Sequence, residues 1–372
     1  MFRFCLVLTT IFSINTGLAS HTSPTMNQKR VLHRSIKLID GNVLVTGGVS
    51  MLSPFPWPHS SAEIFDVRTQ KFIPLPSMNT YHAEHALVTL DDGNILVVSG
   101  NQQKTLEIFD VKTRKFHALP PPQIPRAGHT AHVVGNKLFM IGGYQVKLFN
   151  NEAKPQELIP VKHCEVYDLT SHTSQLIEYP SLFSRLTMHR SLLLPNGNIL
   201  IIGGIGNRNN IIEWNTHTLE FSLRGTLKIP REDEAVLFLD ETHILISGGT
   251  NHEYKTENTL EIFDLNTNES TLLDLKLHEP REDHHMMKLH DGRIILIGGE
   301  IHGEPDKILS SVEIVDLNTN KVSFFPELLK GGLSDHEATL LDDGNILVTG
   351  GESAQGVIRS QALIIDINLL GY

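Results

Sequence analysis

The phrase "DDGNILVTGG", residues 342–351, returns along the whole chain. Near copies are "DGNVLVTGG" at 40–48, "DDGNILVVSG" at 91–100, "NGNILIIGG" at 196–204 and "DGRIILIGG" at 291–299. Looser ones are "GNKLFMIGG" at 135–143 and "ETHILISGG" at 241–249. Each copy joins a turn to a strand. Asp-Gly and Gly-Asn supply the positive φ of a tight hairpin turn. The β-branched and leucine-rich run that follows reads as a buried strand, and the closing glycines permit close backbone approach.

The flanking sequence completes a unit. An alternating run such as "HALVTL" (85–90) precedes the turn. A third run, "LEIFDV" (106–111), and a fourth, "KFHALP" (115–120), follow the glycines. The spacing predicts four short antiparallel strands per unit. The last glycine of each phrase falls at 48, 100, 143, 204, 249, 299 and 351. A period near fifty residues with glycine pairs marks propeller blades of the kelch type. On these residues the chain resembles the secreted kelch-repeat proteins and the kelch domain of galactose-oxidase-like proteins, over nearly its whole length.

The fold class expected is therefore all-β. One kelch-type β-propeller of seven four-stranded blades would span residues 20–372, with six blades and an irregular unit as the fallback. The last unit shows three strands only, so residues 20–26 are expected to supply the fourth and cover an otherwise open edge.

The chain has 372 residues, 40% of them hydrophobic, and a formal charge of −11. That balance argues against broad binding to nucleic acid or anionic membranes. Residues 1–19 combine Arg3, an apolar run to about Ile14 and small residues up to Ala19, which reads as a secretory signal peptide. An exported, periplasmic or secreted protein follows, with no membrane insertion after cleavage, most simply a monomer. Of two cysteines, Cys5 lies in the leader, leaving Cys164 in a strand-like segment as a buried, inert thiol.

A second series precedes the turns. His33, His85, His129, His189, Glu234, His284 and His336 recur at one position, with Arg30, Arg126, Arg231 and Arg281 three residues earlier. These residues begin the innermost strands. Being repeated, they are explained first by blade geometry, as side chains that bond neighbouring blades and strand ends. The departures from the repeat carry more information. "PREDEA" (230–235), "PREDHH" (280–285) and "SDHEA" (334–338) gather Glu232, Asp233, Glu234, Glu282, Asp283, Asp335 and Glu337 on one sector of the rim. Carboxylates beside histidines could bind a cation or polarise sugar hydroxyls, or form a solvated, mutually paired rim. No ligand spacing on a single element supports a metal.

The loops after the glycine pairs vary in length, and function enters repeat scaffolds there. The first holds Phe55 and Trp57 among prolines; the third begins at Tyr144. Variable loops with no sequence-local catalytic motif point to a cofactor-free binding module for a glycan or a protein ligand. The second reading is a sugar-active enzyme, and the resemblance offers two precedents. A sialic acid mutarotase of this fold would need only placed acids, bases and arginines. A copper radical oxidase would need two tyrosines, two histidines and a Tyr–Cys cross-link. Tyr81-His82 is a Tyr–His pair on the rim, but no tyrosine partner can be assigned to Cys164.

Overall fold

The computed structural model describes residues 23–51, 58–100, 103–147, 157–180, 183, 185–207, 209–303 and 305–370. Phe55, Trp57 and the signal-like leader lie outside them.

Seven antiparallel sheets form the blades of a propeller. Blade 1 runs Arg34–Lys37, Val43–Thr46, Ala62–Asp66 and Lys71–Pro74, each strand paired with the next. Blades 2 to 6 repeat this order. Blades 3 and 6 each carry a small extra hairpin after the glycines, at Tyr144–Lys147 with Glu157–Pro160 and at Glu300–Ile301 with Lys307–Ile308. The innermost strands touch one another in a closed circle, with that of blade 7 (Glu337–Leu340) packed against that of blade 1. No helix among the described residues is long and apolar enough to cross a membrane.

The second strands explain the apolar runs. Val43 and Val45 pack with Leu347 and Ile364 of blade 7, whereas Leu44 packs with Ile95 and Val97 of blade 2. A strand sandwiched between two blades buries both faces, so alternation disappears from its sequence. In the turn, the Asp40 carboxylate accepts the Asn42 N–H at 3.1 Å, Gly41 takes φ +82°, and the Asn42 side chain accepts the Val67 N–H at 3.1 Å. The repeated phrase thus ties the first turn of a blade to the last.

Its final glycine joins blades. The N–H of Gly48 donates to His82 O, and the same bond recurs from Gly100, Gly143, Gly204, Gly249 and Gly299 to the following blade at 2.7–3.0 Å. The seventh runs from Gly351 to Arg30 O at 2.9 Å and closes the ring. A Cβ on Gly48 would lie 2.7 Å from Val31 O and 2.8 Å from His33 Cβ, so only glycine fits. Blade 7 has three strands, ending at Leu363–Ile365. Residues 24–26 pair beside the last: Met26 N–H donates to Ser360 O and Ala362 N–H to Pro24 O, both at 2.8 Å.

Candidate functional site

The rim arginines lie inside their own blades. Arg231 donates to Gly248 O at 2.7 Å and to the Glu261 carboxylate at 3.1 Å. Arg126 reaches Gly142 O and Glu165, and Arg281 reaches Gly298 O and Glu313, in the same way. All three are fully buried. Each holds the strand end beside the first glycine and neutralises the glutamate of the third strand. Blade 4 has Leu186 instead, and its Glu213 takes Arg224 at 2.6 Å.

The histidine series lies between blades. His33 bonds Thr349 of the preceding blade at 2.8 Å, His85 bonds Thr46 at 2.7 Å and His284 bonds Ser247 at 2.7 Å. Burial pushes all of these imidazoles toward the neutral form. His129, Glu234 and His336 stand in the same seats with no hydrogen-bond partner on either side-chain atom. The preceding blades supply Val98, Ile202 and Ile297 where His33, His85 and His284 meet Thr or Ser; blade 3 has Ile141 there, and His189 bonds Thr130 instead, at 3.0 Å. Burial raises the Glu234 carboxyl to about 7.

The residue between these two series has another fate. Leu32, Glu84, Gly128, Met188, Asp233, Asp283 and Asp335 all adopt φ between +48° and +59°. Their backbones link neighbouring blades: Glu84 N–H to Leu32 O at 2.9 Å, Gly128 N–H to Glu84 O at 3.0 Å, Asp283 N–H to Asp233 O at 3.3 Å. The charged side chains in these positions interact electrostatically. Asp335 of blade 7 feels Asp283 of blade 6 and Glu84 of blade 2. The Tyr144 hydroxyl of blade 3 donates to Glu84. Arg190 of blade 4 stands 3.9 Å from Asp283, and Arg34 of blade 1 pairs with Glu337 at 3.2 Å. With Asp233 of blade 5, which feels the charge of Asp283, all seven blades contribute chemistry to one mouth.

The carboxyl groups there differ in acidity. Burial, then the charge of Asp283, drives Asp233 and Asp335 well above the usual carboxylate range. Burial also raises Asp283, but Arg190 and Arg34 oppose it. Glu84 is raised by burial and lowered by the Tyr144 hydrogen bond. On the outer side, Glu282 and Glu300 rise to about 7, by burial first. The Asp283 side chain is 37% exposed, so water in the mouth screens these effects and moderates the shifts.

Of the residues expected from sequence, Asp233, Asp283, Asp335 and Tyr144 come together at the mouth. Glu337 joins them through Arg34. Arg126, Arg231, Arg281, His129, Glu234, His284 and His336 lie within or between the blades. Arg34, Arg190 and Glu300 escape a reading of the repeats. The available signal for the two arginines is the pair His33-Arg34 and His189-Arg190, where other blades place a different residue after the ring position.

No protein-family model and no curated protein matches the sequence. The fold is similar to the solved structure of a fungal alcohol oxidase of the AA5 family in complex with copper. The TM-score is 0.72 at 17% identity, covering 93% of this chain and 76% of the other. No copper site is visible among the described residues. Tyr81 is exposed, His82 is buried against Ser99 O and Glu107, and Cys164 is buried, its thiol pushed up to about 12. Among the described residues no group of three or more His, Cys, Asp or Glu is placed to hold a metal ion. The similar structure is nevertheless an enzyme, and this corrects the expectation of a binding module. That expectation rested on the lack of a sequence-local catalytic motif, whereas the mouth is assembled from residues far apart in the chain.

Proposed function

We propose that the protein is a sugar-active enzyme that works by proton transfer at the axial mouth. The observation that supports this reading is the convergence of four carboxyl side chains of unequal acidity with two arginines and a tyrosine. Paired groups whose environments push their proton affinities apart supply an acid and a base at one pH. Asp283, raised by burial but opposed by Arg190 and Arg34, is the base; Asp335, raised well above the usual range by burial and by the charges of Asp283, Glu300 and Glu84, is the acid.

Mutarotation fits this pair and needs no co-reactant. Asp283 takes the proton of the anomeric hydroxyl while Asp335 gives its proton to the ring oxygen. The bond from the anomeric carbon to the ring oxygen breaks as the carbonyl forms. Reclosure on the other face returns both protons. Export remains part of the proposal, on the strength of the leader.

The test is anomer exchange followed by magnetisation-transfer NMR on a panel of neutral aldoses and N-acetylneuraminate. Exchange above the buffer rate, abolished in Asp283→Asn with the melting temperature retained, supports the proposal. Buffer-level exchange on every sugar overturns it.

A further inference from the structure

Blade 3 alone has glycine in the ring of seven left-handed residues that surrounds the mouth. A side chain at Gly128 would meet Tyr144: an added Cβ lies 2.8 Å from Tyr144 Cε1 and 3.3 Å from Glu84 Oε2. The ring of Tyr144 therefore occupies the space that Leu32, Met188 or Asp283 fill in other blades. The tyrosine is held there by its backbone, which exchanges two 2.9 Å hydrogen bonds with Ala127. It opens the extra hairpin of blade 3 and reaches the carboxylate of the preceding blade.

This arrangement fixes what the mouth offers a ligand. The phenol proton is committed to Glu84, whose remaining lone pairs are acceptors. Arg34 is neutralised by Glu337, and Arg190 stands beside Asp283. The groups facing Glu84 are Tyr144, Arg34, Asp283 and Asp335. Both arginines thus already stand beside a carboxyl group, so a ligand with several hydroxyls and no carboxylate is favoured.

We infer that Tyr144 is blade 3's own contribution to the mouth, a positioning residue that fixes Glu84 as a hydrogen-bond acceptor and selects an uncharged polyhydroxyl ligand over an anionic one. The inference deepens the proposed function and rests on its location of the site. It narrows the substrate class to neutral sugars and sets the anionic sugars aside.

Two measurements test it without turnover. The first is carbon-13 NMR titration of the Glu84 carboxyl, assigned through Glu84→Gln, in the wild type and in Tyr144→Phe. Loss of the phenol hydrogen bond should move the Glu84 midpoint to higher pH, and an unchanged midpoint overturns the positioning role. Gly128→Ala, which displaces the tyrosine ring, serves as a second variant should Tyr144→Phe fail to fold. The second is binding of D-glucose and D-glucuronate, which differ only in the carboxylate. Binding of D-glucuronate at least about tenfold weaker than D-glucose is expected, narrowing in Glu84→Gln. Equal or tighter binding of the uronate overturns the selectivity. Glucose bound without anomer exchange overturns the enzyme reading alone.

Discussion

Glu234 shows how one residue departs from a repeat and leaves a measurable trace. It occupies a histidine's seat between blades 4 and 5, fully buried, with both carboxyl oxygens unpartnered. Its folded proton affinity, about 7, stands above the unfolded value of 4.5. Below pH 4.5 both states hold the proton and the penalty is absent. Between 4.5 and 7 the unfolded state ionises first, so stability falls as pH rises. Glu234→Gln lacks this term. Relative to the wild type it should gain about 3 kcal/mol on going from pH 4 to pH 8 in urea melts. Parallel stability curves would show that the carboxyl already has a partner. His129 makes a companion case. Val98→Thr would give it the hydroxyl that Thr46 gives His85, and should stay within about 1 kcal/mol of the wild type, whereas Val97→Thr, with no such partner, should cost about 1–3 kcal/mol. Equal losses in chemical denaturation would contradict the seat-by-seat reading. The sequence displays the series but not which members are satisfied, because each partner comes from another blade.

Within an element, the strands were legible and the ion pairs half legible. An unbroken apolar run such as "ILVV" signals burial on both faces, and Ile95–Val98 is indeed fully buried. The glutamate of the third strand, as in "LEIFD", is visible in the repeat, and so is the arginine before the inner strand. Nothing in their separation says that they meet. Their pairing inside the blade is worth testing on Arg231 and Glu261, both fully buried and 3.1 Å apart. Arg231→Leu leaves a buried carboxylate facing apolar surface and should cost about 3–5 kcal/mol. The double variant with Glu261→Gln should recover part of that loss. A double variant as unstable as the sum of the two singles would show that the pair does not act as a unit. Blade 4, with Leu186, manages the same problem by turning Glu213 to Arg224.

For the whole molecule, glycine pairs at a period near fifty residues carried the fold, and the seven clasps from Gly48 to Gly351 give the physical reason. The site was less legible. "PREDEA", "PREDHH" and "SDHEA" pointed to a carboxylate-rich sector, yet Glu84, Arg34, Arg190 and Tyr144 reach it only because the ring closes. Residues 84 and 335 are remote in the chain and electrostatic neighbours in space. The arginines and histidines that recur most often bond within and between blades, and the proposed chemistry lies in the position between them, where the blades disagree. The central claim is that Asp283 and Asp335 transfer protons at this mouth, and the anomer-exchange rate of D-glucose against pH tests it most directly. The account predicts a bell-shaped profile in the wild type. Asp283→Asn or Asp335→Asn should lower the maximum about 10²–10⁴-fold in folded protein. A flat profile, or full activity in the folded double variant, would contradict it.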